Sequence, residues 1–373
     1  MASVDFPFEA LRRWPDIEAP DLPAVDAADR LILDESAAAR ADVAGSDIAV
    51  IGDGYGALTL AAATTTTGAV RVHQDALTGE RALVANAARL GIAPDRFASL
   101  PLAADLVAGA KVVLLRLPRS LDALADIAGL VAAHAHPDVV VYAGGRIKHL
   151  SLTMNDVLRE RFARLDVTHA RQKSRVLVAR GPQRGADPQP RRAAHDGLVV
   201  CAYGGVFAGD SVDIGTRFLL AHLPAAVPED GLLVDLACGT GVVAATLALR
   251  HPHRRVYASD QSAAAVASAR ATVAANAVAD RVEVVRDDGL ERLDAGAAAL
   301  IALNPPFHTG AAVHDRIASR LFADAARGLR AGGELWTVWN SHLRYRATLD
   351  RLVGPTRQVA RNAKFTITAS TKR

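Results

Sequence analysis

The sequence is poor in cysteine and lysine and has no long apolar run. Its 373 residues include only Cys201 and Cys238, far apart. Two distant thiols exclude a disulfide-built secreted scaffold and a thiolate zinc cluster, and they suit a reducing cytosol. No other set of zinc ligands has suitable spacing, so no metal is expected. No apolar stretch approaches the ~18 residues that a spanning helix needs, so no membrane association is expected. The N-terminal stretch carries Asp5 and Glu9 and lacks a basic-then-apolar start. No export signal is therefore expected, and the chain is read as cytoplasmic. Half the residues are apolar and 22% are charged, which excludes wholesale disorder.

Five lysines stand against 38 arginines, and the formal net charge is only +3. The placement of charge says more than the total. Residues 144–192 carry a net +8 and residues 316–373 a net +9, leaving the rest of the chain at −14. Clustered arginine beside an acidic body is a footprint for phosphate. Solvated helix faces are the plainer alternative.

The length is a prior for two domains. Gly181-Pro-Gln-Arg-Gly-Ala-Asp-Pro-Gln-Pro-Arg-Arg192 has no apolar periodicity and reads as a linker. The expected division is residues 1–180, a linker at 181–195, and residues 196–373. Each half alternates strand-like and helix-like segments, the pattern of a doubly wound, mostly parallel α/β sheet. In the second half, strands are expected at Leu232–Leu236, Arg255–Ser259, Val282–Arg286, Ala297–Leu303 and Glu334–Trp339. Helices are expected at Val242–Arg250, Ala263–Asn276 and from about Asp315 to Leu329. The first half repeats the opening, with Asp47–Ile51, a glycine turn, an Ala-rich helix and Val70–Asp75. Gly54 to Asp75 and Gly239 to Asp260 both span 21 residues, and the pairs lie 185 residues apart. Equal spacing of strand, turn, helix, strand and acid points to a duplication.

The glycine turn Val234-Asp-Leu-Ala-Cys-Gly-Thr-Gly241 lets backbone approach a ligand at a helix N-terminus. Alone it also fits a dinucleotide fingerprint. Asp235 separates the readings. A dinucleotide has no use for an acid inside the strand end, whereas S-adenosylmethionine carries an ammonium and a sulfonium. Asp260, at the end of the next strand, is placed to accept both ribose hydroxyls. The deciding motif is Asn304-Pro-Pro-Phe307, directly after an apolar run. The prolines stop the strand and stiffen a loop at the carboxyl edge of the sheet, where such sheets bind ligands. Asn304 and the Pro305 carbonyl supply acceptors for an amino group on a planar system, and Phe307 supplies a stacking face.

With these motifs the second half resembles a class I S-adenosylmethionine-dependent methyltransferase. The whole chain resembles the ribosomal RNA guanine-N2 methyltransferases of the RsmC/RlmG family. Gly204–Phe218, the Asp235–Gly241 turn, Asn304-Pro-Pro-Phe-His308 and Gly332-Gly-Glu-Leu335 carry that resemblance. Leu11–Pro15, Val25–Asp29, Asn340–Tyr345 and Lys364–Ile367 place it nearer the large-subunit branch. The resemblance implies two tandem Rossmann-like methyltransferase domains, the first a degenerate copy. It implies methyl transfer from S-adenosylmethionine, leaving S-adenosylhomocysteine, to N2 of a guanine, in 23S or alternatively 16S ribosomal RNA. Asn304, Pro305, Pro306 and Phe307 would form the catalytic loop. Asp235, Ala237, Cys238, Gly239, Gly241, Asp260, Gln261 and Asp288 would hold the cofactor, with Gly215 and Thr216 over its methionine end and Asn304 beside it.

In the first half Val50 matches Asp235, so the acid is missing there, and Leu115-Arg-Leu-Pro-Arg119 stands in place of the Asn-Pro-Pro-Phe motif. Residues 1–180 are therefore expected to grip RNA without chemistry. Arg116, Arg119, Arg146, Lys148 and Lys173 are candidate phosphate contacts, and His308 is a candidate RNA contact beside the catalytic loop. A monomer with ribosomal RNA as partner is expected, the RNA being free or in an assembling subunit. A protein glutamine-amide methyltransferase and a non-catalytic RNA-binding protein are the alternatives. The basic stretches speak against the first, and the intact Asp235, Asp260 and Asn304 against the second.

Overall fold

The computed structural model describes residues 6–306 and 311–373, with backbone only for residues 311–314. The chain forms two units, Met1–Gln189 and Pro190–Arg373. The first holds β1 (Ile48–Ile51), β2 (Val70–His73), β3 (Phe97–Ser99), β4 (Val112–Arg116), β5 (Val140–Arg146), β6 (Phe162–Val167) and β7 (Ser174–Pro182). The second opens with a hairpin of β8 (Arg191–His195) and β9 (Leu198–Ala202). Its sheet then uses β10 (Leu232–Leu236), β11 (Val256–Asp260), β12 (Val282–Arg286), β13 (Ala298–Leu303), β14 (Leu329–Asn340), β15 (Thr356–Arg361) and β16 (Phe365–Thr371).

The two large sheets have one topology. The first runs β3-β2-β1-β4-β5-β7-β6 and the second β12-β11-β10-β13-β14-β16-β15. In both, the two strands at the far end pair antiparallel while the other neighbours pair parallel. Both halves of the chain therefore fold as Rossmann-like units, and an identical strand order is what duplication produces. The central strands are buried on both faces, as β1 and β13 are along their whole lengths. Alternation along a strand sorts side chains into two cores. Val50 packs into one cluster, Ala49 and Ile51 into the other. Leu233 packs on one face of the second sheet, Val234 and Leu236 on the other.

Two expectations are corrected at their edges. The segment read as a linker is extended at both ends: β7 runs on to Pro182 and β8 begins at Arg191, leaving 183–190 outside regular structure. β14 begins at Leu329, ahead of the expected start at Glu334, and takes in Gly332-Gly333. These glycines sit within a strand whose register against β13 shifts between Ala298 and Leu300. Such a bulge lets the strand absorb a glycine pair instead of ending at it.

Candidate active site

The order of the second sheet reverses between β10 and β13, and chain segments leaving these neighbouring strands diverge there. This crevice is the usual ligand position of an open α/β sheet. Asp235 pairs in register with Ala302, two residues before Asn304. Asp260 closes β11, and Asp287 and Asp288 follow β12. A cavity open to solvent lies at this edge. Asp235, Ala237, Cys238, Gly239, Thr216 and Asn304 line it.

The turn between β10 and the helix Val242–Arg250 is built for close approach. Gly241 caps that helix at φ 74°, and a Cβ there would meet the Cβ of Ala269 at 2.8 Å. Gly239, at φ 53°, has open space where a Cβ would stand. Ala237 adopts φ 58° without being glycine, a conformation that costs an L-residue roughly 1–2 kcal/mol. Asp235 is 3% exposed. Its Oδ2 accepts the Ala244 N–H at 2.8 Å. Its Oδ1 has no hydrogen-bond partner among the described residues and is left to the cavity. Burial raises this carboxyl to about 7, and the charge of nearby Asp260 adds to the rise. A buried acid with one uncommitted oxygen has a strong demand for a cation.

Asp260 ties the turn to the second strand. Its Oδ2 accepts the Gly239 N–H at 3.0 Å and its Oδ1 accepts the Ser262 N–H at 2.9 Å. The cap of the following helix is Ser262, whose Oγ accepts from Ala265. Asp288 is 4% exposed and makes an ion pair with Arg320 from the helix Ala311–Gly328. Asn304 turns its Nδ2 to Asp213 Oδ2 and Thr216 Oγ1, and its buried Oδ1 has no partner among the described residues. Pro305 is buried and Pro306 exposed. Phe307 and His308 lie outside the described residues.

Sequence reading assigned no role to Asp213, Phe207, Thr240 or Val243, all of which line the cavity. Asp213 had a legible signal, since an Asp before Ile-Gly-Thr is a helix N-cap. It does cap the helix Ile214–His222. Gly215, by contrast, is in the first turn of that helix, and Gln261 follows β11.

The first unit requires one addition and one correction. Val50 stands in β1 where Asp235 stands in β10, and Asp53 in the turn takes over one of that acid's jobs. Asp53 is 1% exposed and accepts N–H groups from Gly56 at 3.2 Å and Thr59 at 2.8 Å. Thr59 and Ala244 hold the same place in the two matching helices. Arg116 is not free for phosphate. It donates to Asp26 at 2.6 Å and to Asp29 at 2.7 Å, and only 24% of its side chain is exposed. By strand register Arg116, the last residue of β4, holds the place at which Asn304 follows β13.

Arg119, Arg146, Lys148 and Lys173 have no ion pair among the described residues. The first three surround exposed His149, whose pKa falls through desolvation and through the charges of Arg119, Lys148 and Arg146. Lys173 joins them by accepting the Ile147 N–H on its carbonyl. In the basic C-terminal stretch, Arg320, Arg327, Arg330 and Arg357 are committed to protein partners. Among the described residues no group of three or more His, Cys, Asp or Glu could hold a metal. None of the described helices is long and apolar enough to cross a membrane.

Comparison with known families matches the methyltransferase small domain to residues 197–369 and the RLMG N-terminal domain to residues 1–183. The ribosomal RNA large subunit methyltransferase G of Streptomyces avermitilis is 36% identical, over 98% of this chain and 97% of its own. That of Pseudomonas aeruginosa PAO1 is 36% identical over 96% of both chains. Among solved structures, the T. thermophilus 16S rRNA N2 methyltransferase RsmC, in complex with AdoMet and guanosine, matches with a TM-score of 0.73 and 22% identity. The match covers 93% of this chain and 92% of that one.

Proposed function

The chain belongs to the ribosomal RNA large subunit methyltransferase G family, and from that premise we propose that it methylates the exocyclic N2 of a guanine in large-subunit ribosomal RNA, with S-adenosylmethionine as donor. The observation that carries the reading is Asn304. It follows the central strand β13 beside the cavity with a buried amide oxygen that has no partner among the described residues. A buried acceptor without a donor is costly, and an amine N–H from a ligand repays that cost.

The residues fit the cofactor. Asp235 offers one carboxylate oxygen to the cavity, Gly239 leaves room over the turn, and Asp260 stands at the end of β11. Asp235 and Gly239 would hold the methionine end, and Asp260 with Gln261 the ribose. Asp288 would reach the adenine amine. When bound, the cofactor supplies an electrophilic methyl on a positive sulfur. The protein's part is alignment and charge. A guanine amine is a poor nucleophile because its lone pair is delocalised into the ring. Accepting its N–H on Asn304 Oδ1 and on the Pro305 carbonyl frees the lone pair to tilt out of plane. The nitrogen gains positive charge during transfer, so both acceptors bind the transition state more strongly than the ground state. The product ammonium loses a proton to water readily, so no strong base is required beforehand, and most of the rate comes from orientation. Phe307 would stack on the guanine, and Pro306 would stiffen the loop.

The first unit is read as a support that grips RNA through Arg119, Arg146, Lys148 and Lys173 and performs no chemistry. A single chain is the working unit, and the target guanine is reached in free RNA or in an open region of an assembling subunit.

The test is incubation with methyl-labelled S-adenosylmethionine and separated ribosomal RNAs and proteins, followed by digestion to nucleosides. Label in N2-methylguanosine from large-subunit RNA is expected. Label in small-subunit RNA or in protein glutamine overturns the substrate assignment.

A further inference from the structure

The Asn304 amide is held by two residues from the helix that precedes β10. Its Nδ2 lies 3.2 Å from Asp213 Oδ2 and 3.0 Å from Thr216 Oγ1. An amide nitrogen carries two N–H donors, so both are used. A carboxylate only accepts, and that breaks the near-degeneracy of the two amide flips. The flipped amide would set oxygen against oxygen at Asp213. The Asn304 oxygen is therefore turned away from the helix, where it has no partner among the described residues.

The holder is itself rigid. The same Asp213 Oδ2 caps the helix Ile214–His222, accepting from Gly215 at 2.8 Å and Thr216 at 3.1 Å. Glycine at 215 permits the approach, because a Cβ there would stand 2.9 Å from Asp213 Oδ2. The first unit supplies an independent instance of the arrangement. Arg116, at the position matching Asn304, donates to Asp26 and Asp29. Asp26 caps the helix Ala27–Ala41, and Asp29 stands three residues on, as Thr216 does from Asp213. Contact between the residue at the end of the central strand and the cap of the preceding helix thus recurs in both units. In the first it holds a guanidinium, which presents no acceptor. In the second it holds an amide, which presents one.

The structure assigns Asp213 and Thr216 as positioning residues that lock the Asn304 amide with its oxygen toward the substrate amine. This rests on the reading of Asn304 as the acceptor of that amine. The carboxylate beside Nδ2 also polarises the amide and increases electron density on Oδ1. That strengthens its bond to the amine as positive charge develops on nitrogen.

Thr216→Val removes the hydroxyl with little change of shape, Thr216→Ser keeps it, and Asp213→Ser keeps a good N-cap with a side chain too short to reach Asn304. Each full-length variant is assayed for kcat and KM on ribosomal RNA, for S-adenosylmethionine affinity by calorimetry and for melting temperature, with Asn304→Ala beside them. Thr216→Val and Asp213→Ser are expected to lower kcat by about tenfold to a hundredfold, as misplaced catalytic groups do. Cofactor affinity and KM should hold, and Thr216→Ser should restore turnover. Wild-type kcat in both Thr216→Val and Asp213→Ser, with Asn304→Ala inactive, would overturn the positioning role. Cofactor affinity falling in step with kcat would make Thr216 part of the cofactor rim instead. An active Asn304→Ala would sink the reading of Asn304 itself, which is a separate outcome. If Thr216→Val unfolds, Asp213→Ser alone decides, with the same expectation.

Discussion

Both units start a nine-residue helix after a left-handed glycine, Gly56 in one and Gly241 in the other, and both feed a buried carboxylate to the third N–H of that helix. They differ in where the carboxylate comes from. Asp53 sits in the turn and gives both oxygens to backbone N–H groups. Asp235 sits in the strand and gives one, leaving the other to the cavity. The turns are also covered differently. In the first unit Gln74 Nε2 donates to the Asp53, Gly54 and Gly79 carbonyls, and Asn86 binds Arg12 and Tyr55. In the second unit the turn opens on the cavity. The comparison teaches that capping the helix is what the fold needs, while an unspent carboxylate oxygen beside an open turn is what a cationic ligand needs. Only the second unit has both.

The sharpest way to break the comparison is to exchange the matching residues at the ends of the central strands for alanine. Asn304→Ala should lower kcat by ~10²–10³ with cofactor affinity retained, the usual loss for one preorganised polar group. Arg116→Ala should leave the chemistry alone and damage the fold. Asp29 is 7% exposed, and burial raises its carboxyl to about 6 even with Arg116 beside it. Removing the guanidinium strands two acids and should cost about 3 kcal/mol, a drop of roughly 6–12 °C in melting temperature. Kinetics and thermal melts on the pair decide it. An Arg116→Ala protein that melts normally and loses RNA affinity would restore Arg116 as a phosphate contact.

The next effect separates grip from structure. Changing Arg119, Arg146, Lys148 and Lys173 together to glutamine should make the slope of log K for RNA against log salt shallower by about 2–3 units, at roughly 0.7 per contact. The melting temperature should hold. An unchanged slope would make the cluster a solvated face.

A further contrast concerns the two buried acids. Asp235 titrates at about 7 when folded and near 3.8 when unfolded. Between those values the folded chain holds a proton that the unfolded chain has released, so stability falls as pH rises from about 4 to 7 and then levels. Asp235→Asn removes this penalty while its oxygen can still cap Ala244. It should melt several degrees higher than wild type at pH 8, with the gap closing toward pH 4, and it should lose cofactor binding. In the wild type, cofactor affinity should weaken by about tenfold per unit below pH 7. Asp53→Asn should do the reverse, because its new amide N–H would face a backbone N–H. It should melt lower and bind the cofactor normally, which melts and calorimetry across pH would show.

Much of the site was legible because it is local. The glycine turn, the acid in β10, the acid closing β11 and the two prolines after β13 each announce themselves within a few residues. Strand and helix bounds followed from apolar runs and caps, with Leu232–Leu236 and Val242–Arg250 reproduced to the residue. Spacing aligned Val50 with Asp235, and the strand register agrees, but spacing does not show that a carboxylate three residues further on reaches the same N–H.

By itself the sequence determined two α/β repeats, a glycine turn after the first strand of the second and a proline loop at the edge of its sheet. Turn glycines, caps and apolar periodicity act through near neighbours, and near neighbours are what a sequence displays. Only the tertiary structure decided that Arg116 is spent on Asp26 and Asp29, and that Asp213 and Thr216 hold Asn304. These partners lie 87–91 residues apart in the chain. They meet because each sheet places its first and fourth strands side by side, which brings the helix before one against the loop after the other.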